Sequence, residues 1–147
     1  MTIITDNEAQ TIDEGKKLGK TLTPGSVVAL YGGLGAGKTA FTRGLASGLG
    51  IEAGISSPTF TIVNEYDGPI PLFHFDMYRL ESEDDLFGIG WYDYLGRDGV
   101  CAVEWSEKAH GALPPGTITV QLTNLGNDKR KLEILKMEDG KWKMENC

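Results

Sequence analysis

Ser26-Val27-Val28-Ala29-Leu30-Tyr31-Gly32-Gly33-Leu34-Gly35-Ala36-Gly37-Lys38-Thr39 is the stretch on which the reading of this chain turns. Ser26 to Tyr31 is an apolar run with adjacent valines, the pattern of a strand buried on both faces in a parallel sheet. Gly32 to Thr39 then satisfies G-x-x-x-x-G-K-[S/T] at every specified position. Small residues let the backbone curl until successive N–H groups face one anion, and a helix starting there turns its positive pole to the same point. Lys38 supplies a point charge for β- and γ-phosphates, and the Thr39 hydroxyl is one ligand of a Mg²⁺ bridging them. Phe41, Leu45 and Leu49 then repeat along one helical stripe that Gly50 can end. Strand, glycine loop and helix together are the context in which this motif binds Mg-ATP.

On the N-terminal side, Asp6 is expected to cap a helix carrying Ala9, Ile12, Leu18 and Leu22, weakened by Gly15 and Gly19 and stopped at Pro24-Gly25. On the C-terminal side, Phe60, Ile62 and Tyr66 alternate with polar residues, Asp67-Gly68 marks a turn, and Leu72 to Phe75 resumes an extended pattern, which predicts a strand pair. Ser82 to Asp85 offers a helix start, and the aromatic residues Trp91, Tyr92 and Tyr94 are expected as core or cover. Val100 to Val103 reads as a second buried strand that runs into Glu104. Thr117 to Leu122, Leu132 to Leu135 and Trp142 to Met144 read as short strands, with turns at Gly126-Asn127-Asp128 and Asp139-Gly140. The predicted class is α/β: a P-loop NTPase-like mixed sheet flanked by helices, with antiparallel C-terminal strands, in one domain over residues 1–147.

Composition narrows the function classes. A chain of 147 residues can bury one core without disulfides or metal staples, and no apolar run is long enough to span a bilayer. Cys101 and Cys147 are its only cysteines, which suits a reducing compartment, and Met1 to Asp6 resembles neither a secretory nor a transit segment, so a cytoplasmic protein is expected. The net charge of −7 opposes direct, salt-driven attachment to nucleic acid. Lys16, Lys17 and Lys20, and Lys129 to Lys131, are read as ordinary solvated faces.

A Mg²⁺ held at such a loop needs a further acid at the end of a neighbouring buried strand. Glu104 after Val100 to Val103 is the first choice, and Asp76 after Phe73-His74-Phe75 is the second. His74 is read as a packed histidine rather than a catalytic base.

Taken together, these residues resemble one family, the small ATPase of bacterial tRNA threonylcarbamoyladenosine synthesis called TsaE. The resemblance rests on Leu34 to Thr39, Ser57-Pro58-Thr59-Phe60, His74-Phe75-Asp76-Met77-Tyr78-Arg79-Leu80 and Glu104-Trp105-Ser106-Glu107-Lys108, in matching order and spacing over nearly the whole chain. It implies Mg²⁺ binding by Thr39 and Glu104, and places Thr59 and Asp76 on switch-like segments that sense the γ-phosphate. Lys38, Asp76, Glu104 and Thr59 are thus the expected catalytic set. Nucleotide contact is implied at Thr11, at Gly33, Leu34, Gly35, Ala36, Gly37, Lys38, Thr39 and the following Ala40, and at Trp105 and Arg130. The family usually carries an acid where this chain has Gly33, so any partner contact or water positioning by that acid is missing here. The implied partners are a threonylcarbamoyl transferase subunit and its paralogous partner, which modify adenosine 37 of tRNA, with tRNA touched only indirectly and no membrane involved.

Two other classes stay open on residues alone. A small-molecule kinase uses the same loop, although an Arg-rich lid is hard to assemble from Arg43, Arg79, Arg97 and Arg130, which are scattered along the chain. A nucleotide-dependent adaptor without turnover needs nothing beyond the loop. A GTP switch is disfavoured, because Asp93-Tyr94-Leu95-Gly96 is followed by no Asn-Lys-x-Asp segment.

Overall fold

The computed structural model describes residues 1–33, 35–52, 54, 63–76, 88–104, 113–138 and 141–144. Within them the elements are β1 (Thr2–Thr5), α1 (Glu8–Gly19), β2 (Val27–Tyr31), α2 (Lys38–Gly48), β3 (Val63–Tyr66), β4 (Leu72–Asp76), α3 (Trp91–Leu95), β5 (Val100–Glu104), β6 (Ile118–Gly126), β7 (Lys129–Glu138) and β8 (Lys141–Met144). The strands form one mixed sheet in the order β1-β7-β6-β2-β5-β4-β3, with β8 also paired to β7. β2 lies at its centre, parallel to β5 on one side and to β6 on the other, and β4 extends the parallel part beyond β5. β3, β7, β1 and β8 pair antiparallel. The expected α/β mixed sheet is therefore present. One expectation changes: β6 opens the C-terminal extension in parallel with β2, and only β7 and β8 are purely antiparallel. The β6–β7 turn falls at Asn127 and Asp128, both at positive φ (53° and 64°), as a tight hairpin requires. The expected Asp139-Gly140 turn lies outside the described residues.

Strand alternation divides the core. Val28, Leu30, Leu72, Val100, Ala102 and Val120 share a buried cluster with Phe41, Leu45 and Leu49 of the predicted α2 stripe. Val27, Ala29, Phe73, Phe75, Cys101 and Val103 form the other cluster, which includes Trp91 of α3. Tyr92 is exposed, so the aromatic group splits between core and surface. Gly50, at φ 84°, ends α2 as expected.

At α1 the cap differs from expectation. Asn7, not Asp6, is the N-cap: its Oδ1 accepts from Gln10 N at 2.9 Å, while Gln10 Oε1 accepts from Asp6 N at 2.7 Å. Asn7 wins because strand β1 runs through Thr5, leaving the next two residues for the turn. β1 itself carried no recognised strand signal. Gly15 and Gly19, expected to weaken the helix, instead let it touch α2 backbone to backbone. A Cβ on Gly19 would lie 2.5 Å from Leu45 O, and one on Gly48 2.5 Å from Lys16 O; Gly15 faces Phe41 O and Gly44 faces Ile12 O closer still. Among the described residues no helix is long and apolar enough to cross a membrane.

Candidate functional site

The carboxyl ends of the parallel strands form one rim, and the order reverses there: β2 sends the chain into α2 and the two flanking strands arrive later, from opposite sides. Crevices at such switch points are where open α/β sheets bind ligands. Gly32 leaves β2 so close to β6 that a Cβ would sit 2.7 Å from Leu122 O. Gly37, at φ 102°, starts α2 without any side-chain cap, so the first-turn N–H groups are left to face an anion. Lys38 leads the helix and donates from Nζ to Gly32 O at 2.9 Å, folding back over the loop.

An open cleft of about 480 Å³ lies above the loop, lined by Gly35, Lys38, Thr39, Arg43, Glu104 and Arg130 among others. That volume lies in the range of small-molecule sites, roughly 300 to 1,000 Å³. Glu104 ends β5 opposite Leu30 of β2 and Asp76 of β4, so both expected acids stand side by side at the rim beside the loop's own strand. Glu104 is buried, and burial pushes its carboxyl above the usual carboxylate range; the Lys38 charge opposes this and the Asp76 charge adds to it. Arg130, on β7, reaches the loop from the far side. Its Nη2 donates to Gly35 O at 3.2 Å, and its Nη1 donates to Asn124 Oδ1 at 3.1 Å and to Lys129 O at 3.0 Å.

The family model described as "Threonylcarbamoyl adenosine biosynthesis protein TsaE" matches residues 5–132. The chain belongs to the TsaE family. A relative named "tRNA threonylcarbamoyladenosine biosynthesis protein TsaE" in Treponema pallidum is 42% identical over 134 residues, covering 91% of this chain and 99% of the relative. A relative of the same name in Bacillus subtilis is 46% identical over 110 residues, covering 74% and 68%. The crystal structure of Bacillus subtilis YdiB is similar with a TM-score of 0.72 at 36% identity, covering 93% of this chain and 84% of that one.

Of the residues that the TsaE resemblance singles out, the fold gathers Gly35, Gly37, Lys38, Thr39, Ala40, Glu104 and Arg130 at the cleft. Ala36 lines it too, but its side chain is buried under the loop. Thr11 borders a small niche of about 50 Å³ with Glu8, Gly37, Ala40, Asp128 and Arg130; its hydroxyl is buried and bonds Thr5 Oγ1 at 2.7 Å. Gly33 is exposed, and a Cβ there would meet nothing within 4 Å. Leu34, Thr59 and Trp105 lie outside the described residues. Arg130 departs from the solvated-face reading of its basic cluster by docking on the loop. Glu8 and Arg43 were missed: they line the cleft mouth 3.7 Å apart, brought there by the α1–α2 contact. The paired Gly15/Gly19 and Gly44/Gly48 spacings were the signal for that contact.

Proposed function

We propose that the chain binds ATP with Mg²⁺ at the glycine loop, hydrolyses it slowly by itself, and serves threonylcarbamoyladenosine formation at adenosine 37 of tRNA by acting on a partner transferase pair in the cytoplasm. The observation that carries this reading is the convergence of Lys38, Glu104 and Asp76 on one rim, at the uncapped start of α2, in a chain of the TsaE family. The residues present fit a Mg-nucleotide. The loop backbone leaves room for an anion, Lys38 supplies a cation, and Thr39 and Glu104 share the cleft as oxygen donors that would hold Mg²⁺. When bound, that ion would neutralise charge on the β- and γ-phosphates. Lys38 would exchange Gly32 O for phosphate oxygens, while Asp76, beside Glu104, would sense the γ-phosphate. Among the described residues Arg130 is engaged by Gly35 O, Asn124 and Lys129 O, Arg97 by Glu65, and Arg43 lies near Glu8, while Arg79 lies outside them. An arginine supplied in trans is worth roughly 10³ to 10⁵ in rate, so the partner is expected to set the turnover. The net charge of −7 supports action on proteins rather than on bare tRNA.

Loss of the protein in its host, followed by mass spectrometry of tRNA nucleosides, tests the pathway; unchanged threonylcarbamoyladenosine rejects it. Phosphate release by the purified chain, alone and with the transferase pair, tests the activity. A slow rate raised by the pair and abolished by Glu104→Ala is expected. A fast rate indifferent to the pair points instead to a kinase with its own acceptor.

A further inference from the structure

His74 lies two residues before Asp76 on β4, beneath the strand-end pair Asp76 and Glu104. It is completely buried, and alternation along β4 puts it on the face of Asp76, away from Phe73 and Phe75, which join the other core cluster. Its register neighbour on β5 is Ala102, whose short side chain leaves room for the imidazole to lean along the sheet toward Glu104, where Nε2 lies 3.9 Å from Oε1. Packing alone does not account for this residue, since Leu72 shows that the same strand face accepts an aliphatic side chain at no polar cost.

Glu104 has a matching need. It is buried beside Asp76, its register neighbour on β4, and a metal can occupy only part of the carboxylate. Carboxylates that hold metals are themselves held by hydrogen bonds from behind.

We propose that His74 is a positioning residue for Glu104: in the Mg-nucleotide state its Nε2–H donates to Glu104 Oε1, so that the other carboxylate oxygen faces the cleft. The proposal rests on the reading of the cleft as a Mg-nucleotide site. Closing from 3.9 Å to hydrogen-bond length asks for a movement of about 1 Å, within reach of side-chain rotation. The ring must then be protonated at Nε2, which makes its tautomer an observable.

His74 and His110 are the only histidines, so ¹⁵N-histidine labelling gives two pairs of ring nitrogen signals, which His110→Gln assigns to their residues. With Mg²⁺ and a non-hydrolysable ATP analogue, the His74 Nε2 proton is expected to move downfield, and to stay in place when Glu104→Ala removes the acceptor. A ring protonated only at Nδ1, or an Nε2 signal indifferent to the ligand, overturns the proposal without any His74 variant having to fold. The second measurement is the Mg²⁺ concentration that half-saturates binding of a fluorescent ATP analogue. His74→Leu should raise it roughly tenfold, as loss of such a supporting contact does, while His74→Gln, which keeps a donor, should stay near wild type. If Glu104→Ala raises the Mg²⁺ requirement and His74→Leu does not, the role of His74 falls and the cleft reading stands. If Glu104→Ala leaves the requirement unchanged, both fall.

Discussion

A Cβ built on Gly48, in the seam between α1 and α2, would lie 2.5 Å from a carbonyl oxygen, whereas one built on Gly33 in the glycine loop would meet nothing within 4 Å. In the seam glycine is needed because the molecule is already there: two helix backbones occupy the space a side chain would take. At the exposed stretch of the loop the space is open, although Gly32 and Gly37 are still held by local geometry. One region is closed for the sake of stability. The other is left unfilled by the chain's own packing, as a ligand surface must be.

The difference can be broken first at its closed end. Gly44→Ala puts a methyl group against Ile12 O, and overpacking of this kind costs about 1–3 kcal/mol or more, so the melting temperature should fall clearly. A Gly44→Ala protein that melts with the wild type would mean that α1 slides freely on α2. At the open end, Lys38→Ala removes a charged hydrogen-bond donor worth about 1.5–3 kcal/mol, so calorimetry should show ATP affinity down roughly 10- to 100-fold with the fold intact. Wild-type affinity would remove Lys38 from the phosphate site.

A smaller effect separates the regions by pH. Because burial raises the Glu104 pKa, the folded protein holds that proton more tightly than the unfolded chain, and the ionised form weakens the fold. The cost is complete above the folded pKa and disappears below the ordinary glutamate value of about 4.3. In metal-free buffer, Glu104→Gln should therefore melt above the wild type at neutral pH, with the gap closing as pH falls through that window. A gap that widens on acidification contradicts the assigned cause. The smallest effect belongs to Gly33→Ala. Its φ is not positive and its surroundings are empty, so stability should change by no more than about 0.5 kcal/mol in a denaturant titration. A large loss would show that the loop is as tightly committed as the seam.

What could be read from the sequence follows the same division. The loop, β2, the α2 stripe and the two strand-end acids were legible because each is a local pattern: an apolar run, a fixed glycine spacing, a repeat, a carboxylate after four apolar residues. β1 was not, because Thr2 to Thr5 becomes a strand only by pairing with Leu132 and its neighbours at the other end of the chain. The Asn7 cap followed from that strand, and the parallel pairing of β6 with β2 is likewise set by distant residues. Glu8 and Arg43 reach the cleft through helix packing, which the Gly15/Gly19 and Gly44/Gly48 spacings signal without saying which side chains it carries to the cleft. Arg130 was singled out by resemblance, but its hold on Gly35 depends on the β6–β7 hairpin turning where it does.

That hold also bears on how the molecule is made. The loop leaves the ribosome early, yet β5, β6 and Arg130, which flank or grip it, are synthesised much later, and Thr5 finds its register partner only when Arg130 itself appears. A nascent chain stopped before the hairpin would therefore carry every residue of the phosphate motif without the neighbours that shape it. Competence to bind a ligand at the loop should arrive abruptly and late in translation, once the sheet is complete.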